Sequence, residues 1–432
     1  MTLSRECGSS APPNSSLALA LYVHVPFCRQ RCAYCDFNTY AGLSDLMPIY
    51  AAALGHELEA IAACWASLTV STIYLGGGTP SLLSLHLLDD LFYVVRSSLG
   101  IPVDSEVSLE VNPGTVTTSY LEGLRALGVN RLSVGVQSTH EDELQMLGRI
   151  HTWDDAIRTV ESAREAGFEN VSLDLMFGLP GQTVGRWEDT LEAALALEPE
   201  HLSLYGLSVE GGTPLAERIA SEVVPSPDED RAAAMYELAE RMLAERDFFH
   251  YEISNWARVN DGEQGAKRPF PRWWPPDKVR DLAPGPSETV SRYVCRHNLT
   301  YWRNQPWLGI GAGACSWLAG RRWINLEHPR DYVAVWKESQ GGPQDDLLAA
   351  SQRVEDISRE LEIGETMMLG LRLAEGVSDE VFETRFGASL AEVFSEELED
   401  LQALELLRWD GSVARLTQRG RLLGNRVFER FI

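Results

Sequence analysis

Between residues 20 and 207 the chain alternates six times between a short, β-branched-rich run and a longer amphipathic stretch. The runs are ALYVHV (20–25), VSTIYL (70–75), EVSLEV (106–111), RLSVGV (131–136), NVSLDLMF (170–177) and HLSLYGL (201–207). The amphipathic stretches cover 45–65, 84–97, 116–127, 153–166, 185–197 and 228–246; in the second of them Leu91, Val94 and Val95 share one helical face. Strands that each lead into a helix predict a parallel sheet with right-handed crossovers. A closed barrel of this kind has eight such units. Six predict an α/β fold, either a partial (β/α)6, TIM-like barrel or an open sheet. In both forms the functional loops follow the C-terminal ends of the strands.

The net charge of −26 disfavours phosphate backbones and anionic membranes as partners. The sequence holds no run of 18 apolar residues, so no membrane span is expected. Seven cysteines, an odd number at low density, give no secreted disulfide framework. The start carries Arg5 and a polar SSAPPNSS stretch rather than a signal peptide's apolar run, and a cytoplasmic setting is expected. Residues 1–18 read as a disordered tail and 19–260 as the core. Residues 261–290 hold six prolines and Trp273–Trp274, and read as an inserted loop, either a linker or a lid. A connecting region follows over 291–350. From about 351 the texture turns helical, and the chain ends in a small winged-helix-like α+β domain (351–432) with a hairpin turn at Asp410–Gly411. Its arginines, from Arg408 to Arg430, suit packing or partner contact.

The segment YVHVPFCRQRCAYCDF (22–37) follows the first strand and spaces Cys28, Cys32 and Cys35 as C-x3-C-x2-C. Three thiolates on one loop suit three corners of a cubane cluster and leave its fourth iron open, whereas a closed ferredoxin site uses four. A structural zinc also takes four ligands, and would have to recruit His24 or a distant cysteine. Unmetallated thiols are the plainest alternative. The second strand ends in Gly76-Gly77-Gly78-Thr79-Pro80, which is either a close backbone approach to a ligand or a glycine-rich turn. Glu110, Gln137 and Asp174 mark successive strand ends, and Arg149 lies twelve residues beyond Gln137. A barrel collects its site from such positions, although each alone is also an ordinary strand-end polar residue.

The cysteine spacing after the first strand resembles the radical S-adenosylmethionine (SAM) superfamily. That resemblance implies a 4Fe–4S cluster on the three cysteines, with SAM chelating the open iron through its amino and carboxylate groups. The reduced cluster would donate an electron to the sulfonium, which can release a 5′-deoxyadenosyl radical. From about 19 to 432, apart from the insertion, the chain is similar to the coproporphyrinogen dehydrogenase family, including HLSLYGLSVEGGTPL (201–215), YEISNWAR (251–258) and LGIGAGACS (308–316). By that resemblance Tyr22, Tyr34, Gly77, Gly78, Thr79 and Glu110 match SAM contacts. Gln137, Arg149 and Asp174 match positions serving a second SAM.

Two features choose a branch. The dehydrogenases carry a further cysteine two positions after the third cluster cysteine; here that position is Phe37. The segment RHNLTYW (296–302) resembles the HN-x-x-YW motif of the HemW heme-chaperone branch, where it is tied to heme binding. His297, Asn298, Tyr301 and Trp302 then become heme-site residues. An imidazole nitrogen ligates iron and flat aromatics suit a porphyrin face, but a core histidine among packing aromatics reads the same way. The family's histidine after GIGAGA is Cys315 here, either a thiolate ligand or a buried structural cysteine. The resemblance implies binding of heme and transfer to an acceptor protein that the sequence does not name. It leaves a homodimer open, while the charge and the lack of a long apolar run argue against nucleic acid and stable membrane insertion. The alternative it implies is an enzyme, an oxygen-independent coproporphyrinogen III oxidase of porphyrin biosynthesis.

Overall fold

The computed structural model describes residues 18–65, 68–259, 291–338, 347 and 349–432. Residues 1–17 of the expected tail and the 261–290 insertion therefore lie outside the described residues, and Ala18 already opens the first strand. The chain runs through six successive β/α units, the partial (β/α)6 pattern, and then into the C-terminal α+β domain. It divides into two compact units, one running to Ser172 and taking in Ser208–Val224 and Pro306–Ile357, the other made of Leu173–Leu207, Pro225–Gln305 and Ser358–Ile432.

The first unit is built on strands β1 (Ala18–Val25), β2 (Thr69–Gly77), β3 (Glu106–Val111) and β4 (Arg131–Gln137). Successive residues of β1, from Leu19 to Leu21 and from Val23 to Val25, are buried. A strand buried on both faces belongs inside a covered parallel sheet. The helices that cover it begin where side chains cap them. Ser84 and Thr117 accept from backbone N–H groups, and Thr152 forms a reciprocal capping box with Asp155. Helix Leu85–Ser98 buries Leu88, Leu91, Phe92 and Val95, so Leu91 and Val95 of the predicted face lie inside while Val94 is half-buried.

Between Phe248 and Asp356 the chain supplies strands that the sequence did not lead one to expect. Beyond β5 (Val171–Phe177), β6 (His201–Gly206), β7 (Phe248–Glu252) and β8 (Asn255–Arg258) come β9 (Trp307–Ile310), β10 (Cys315–Leu318), β11 (Arg321–Asn325) and β12 (Ser351–Asp356). β9 pairs parallel with β1, and β9 to β12 continue as an antiparallel meander. The helical texture expected from 351 is thus interrupted: β12 precedes the helix, which starts at Arg359 behind the cap Ser358. Buried Glu57, on helix Met47–Cys64, holds the β9–β10 turn. It accepts from Gly311 N (2.8 Å), Asn325 Nδ2 (2.6 Å) and Tyr332 Oη (2.5 Å). Burial nevertheless pushes its carboxyl up to about 7.

In the second unit the strand order is β5-β6-β8-β7, with β8 antiparallel to both neighbours. The C-terminal domain packs Phe382, Phe386, Leu390, Phe394, Leu398 and Phe428 into one core. Its three-stranded sheet contains the hairpin Leu407–Trp409/Val413–Leu416. The hairpin turns at Asp410–Gly411, where Gly411 has φ +86° and Asp410 Oδ1 accepts from Ser412 N and Val413 N. Among the described residues no helix is long and apolar enough to cross a membrane.

Candidate iron–sulfur and SAM site

The cysteine loop leaves β1 at Pro26 and is closed at its base by a parallel ladder of Phe27–Cys28 with Tyr40–Ala41. Its interior is tied to distant parts of the first unit. Ala33 N donates to Leu147 O (2.9 Å), Leu215 N donates to Ala33 O (2.8 Å), and Asn38 Nδ2 donates to Glu327 O (2.8 Å). Beneath the loop His24 is buried, and its Nε2 lies 2.9 Å from Asn38 O, which can only accept. Nε2 therefore carries the proton, and Nδ1 accepts from Tyr22 Oη at 3.0 Å. Burial lowers the pKa of this imidazole, in keeping with the neutral tautomer.

The glycine run packs against the same stem. Gly78 N donates to Val25 O (2.9 Å) and Thr79 N to Phe27 O (2.8 Å). A Cβ on Gly78 would stand 2.7 Å from Phe27 O, and one on Gly77, where φ is +110°, would stand 2.5 Å from the His24 ring. The run is therefore glycine because two backbones and a buried ring meet there. Gly77 N and Tyr74 Oη both donate to Glu110, at 3.1 and 3.0 Å, which fixes that carboxylate at the end of β3.

Each cysteine sulfur has a polar neighbour. Thr79 Oγ1 lies 3.7 Å from Cys28 Sγ, Thr39 Oγ1 lies 3.7 Å from Cys35 Sγ, and Arg149 Nη1 donates to Cys32 Sγ at 3.4 Å. Burial, with the other two sulfurs close by, pushes the Cys28 thiol up to about 11. The free thiol is thus protonated at neutral pH, and loading iron would release its proton. Arg149 also donates from Nη2 to Asn112 Oδ1 (2.5 Å) and Gly135 O (2.6 Å), and its charge faces the Tyr34 hydroxyl. Tyr34 itself is held above the ordinary phenol range, chiefly by burial. His151 Nε2 lies 3.1 Å from Val136 O, and burial with the Arg149 charge drives its pKa down to about 4. A cleft opens among Arg29, Gln30, Cys32, Thr79, Asn112 and Arg149.

Among the described residues no three His, Cys, Asp or Glu side chains converge as ligands of one metal ion. Cubane ligation does not require convergence, because each thiolate takes a different iron. Three cysteines on one anchored loop, with donors at their sulfurs and a cleft beside them, fit such a cluster. The first unit therefore brings together the three cysteines, Tyr22, Tyr34, Gly77, Gly78, Thr79, Glu110 and Arg149. Gln137 closes β4 as a buried residue in the left-handed region (φ +68°), and its Nε2 lies by Gly135. Asp174 stands half-buried in the middle of β5, within the second unit. Asn112, which bridges Thr79 and Arg149, is missing from the sequence-level site. Its one signal was a polar residue directly after β3, ahead of Pro113–Gly114.

The RHNLTYW segment lies in the second unit as helix Arg296–Trp302. The i, i+4 spacing puts His297 and Tyr301 on one face. His297 is 1% exposed, and its Nε2 is 2.9 Å from Tyr301 Oη. Asn298 and Trp302 are half-buried, and the Arg372 guanidinium lies 5.2 Å from the Trp302 ring centre. Cys295 is buried, whereas Cys315 is a half-exposed residue at the start of β10 rather than a buried core cysteine.

Residues 22–194 match the Radical SAM superfamily and 357–423 the HemN C-terminal domain. Fold and cysteine loop together define a radical SAM protein with a HemN-type C-terminal domain. The solved coproporphyrinogen III oxidase HemN of Escherichia coli shares the fold, with a TM-score of 0.77 at 24% identity, covering 96% of this chain and 90% of that one. The heme chaperone HemW of Bacillus subtilis is 36% identical over 412 residues, 95% of this chain and 98% of that one. The heme chaperone HemW of Mycobacterium tuberculosis is 35% identical, covering 96% and 95%. The chain belongs to the HemW family.

Proposed function

We propose that this chain is a heme chaperone that binds heme and passes it to an acceptor protein. In this reading Cys28, Cys32 and Cys35 hold a 4Fe–4S cluster whose open iron takes an exchangeable SAM. The observation that carries the heme reading is the pairing of His297 with Tyr301 on the RHNLTYW helix. The HemW name of relatives matching nearly the whole chain supports it.

When bound, the cluster supplies an electron to the SAM sulfonium. The chain's own residues do the rest. Thr79, Thr39 and Arg149 direct polar hydrogens at the sulfurs, while Gly77 and Gly78 let the strand end close on His24 and Phe27 under the cysteine loop. Glu110, Tyr22 and Tyr34 orient SAM, and Gln137 and Arg149 are residues of the first unit that a second SAM would meet. His297 Nε2 reaches a heme iron only when Tyr301 releases it, so heme uptake opens that pair. Phe37, 63% exposed, stands where the dehydrogenases carry a further cysteine and argues against their reaction here.

The test is incubation of the cluster-loaded protein with coproporphyrinogen III, SAM and reductant without oxygen. A parallel sample carries heme and a heme-free acceptor protein. The proposal expects heme to move to the acceptor and coproporphyrinogen to stay unchanged. Conversion of propionates to vinyl groups would contradict it.

A further inference from the structure

The hydrogen bonds beside the cysteine loop have a fixed direction. A guanidinium only donates, so the end of the Asn112 amide that faces Arg149 Nη2 is its oxygen. The other end, Nδ2, then donates to Thr79 Oγ1 at 2.7 Å. A hydroxyl that accepts at its oxygen keeps its single proton for another partner, and Cys28 Sγ lies 3.7 Å away. On the other side Arg149, fixed by Asn112, turns Nη1 to Cys32 Sγ. A flipped amide would press its NH2 group against the guanidinium and turn the Thr79 proton away from the sulfur.

We infer that Asn112 is a positioning residue which, touching neither sulfur, holds Thr79 and Arg149 as donors to Cys28 and Cys32 and so raises the reduction potential of the cluster they carry. Hydrogen bonds to cluster sulfurs and nearby charge set that potential, and both stabilise the added electron. The inference rests on the cluster reading above. Thr79 is held at its backbone by Phe27 O, and Arg149 keeps its bond to Gly135 O. Removing the Asn112 side chain therefore releases the aim of the two donors rather than the loop.

The experiment is anaerobic reconstitution of the full chain, followed by iron and sulfide content and a redox titration read by electron paramagnetic resonance. The proteins are wild type, Asn112→Ala, Thr79→Val, Thr79→Ser and the Asn112→Ala/Thr79→Val double variant. Thr79→Ser should keep the wild-type potential, while Asn112→Ala and Thr79→Val should each become more negative. The Asn112→Ala shift should shrink in the Thr79→Val background, because part of its path is already gone. An unmoved potential in Asn112→Ala at full iron content would overturn the inference, as would an undiminished shift in the Thr79→Val background. Should Asn112→Ala hold no iron, isosteric Thr79→Val decides, and an unshifted potential there also overturns it. Wild type that takes up no cluster would sink the cluster reading itself.

Discussion

The hydroxyl of Tyr301 sits 2.9 Å from Nε2 of buried His297, with the two rings edge to face at a centroid distance of 5.1 Å. The nitrogen that would ligate heme iron already has a partner, so iron must compete with it. Tyr301→Phe removes the competitor while leaving the ring. A net hydrogen bond of about 1 kcal/mol predicts heme binding roughly fivefold tighter. Heme titration followed by absorbance checks this, and weaker binding in Tyr301→Phe would place the phenol, not the imidazole, at the heme.

The cluster and heme residues belong to different compact units, and their losses should separate. Cys32→Ser is expected to remove the intact cluster and keep heme binding. Iron and sulfide analysis beside heme titration tests the separation, and loss of both cofactors in this variant would contradict it.

Gly78 faces Phe27 O so closely that an added methyl must displace the stem of the cysteine loop. Overpacking of this kind costs about 1–3 kcal/mol. Gly78→Ala should reconstitute with clearly less iron than wild type while the C-terminal domain still folds. Full iron content in Gly78→Ala would show that the stem has room to move.

Glu57 gives a pH dependence whose sign is fixed. Its folded-state pKa, raised to about 7 by burial, lies above the ordinary carboxylate value, so folding binds a proton between the two. The stabilisation is complete below about 4.5 and is lost as pH rises through about 7, a total of roughly 3 kcal/mol. Glu252, likewise pushed up to about 7 by burial, acts in the same sense in the second unit. His250 and His151, lowered to about 3 and 4 by burial, act oppositely and withdraw stability as pH falls below the ordinary imidazole value. Denaturant titrations from pH 4.5 to 8 should show wild type losing ground to Glu57→Gln as pH rises. A gap that stays constant with pH would mean Glu57 is ionised throughout.

The six β/α units were legible because strand and helix periods alternate cleanly between Leu19 and Gly206, and the cysteine loop because its spacing is local. What the sequence hid is what distance brings together. Arg149 meets Cys32 across 117 residues, and Glu57 meets Asn325 across 268. No periodicity encodes such pairs. Strands β9 to β11 were missed because they are only four or five residues long and Gly309, Gly311 and Gly313 break up the segment. Those glycines serve close approach. A Cβ on Gly309 would strike Cys315 O, and Gly311, at φ +101°, lies against His24 O and Tyr50 Oη. His297 was singled out by its motif, but its burial and its bond to Tyr301 appear only in the fold.

The most direct test of the heme-chaperone account is an anaerobic heme titration of the reconstituted protein, followed by absorbance, on wild type and His297→Ala. The account predicts saturable one-to-one binding in wild type, weakened in the variant with its cluster intact. Absence of specific heme binding in wild type would contradict it.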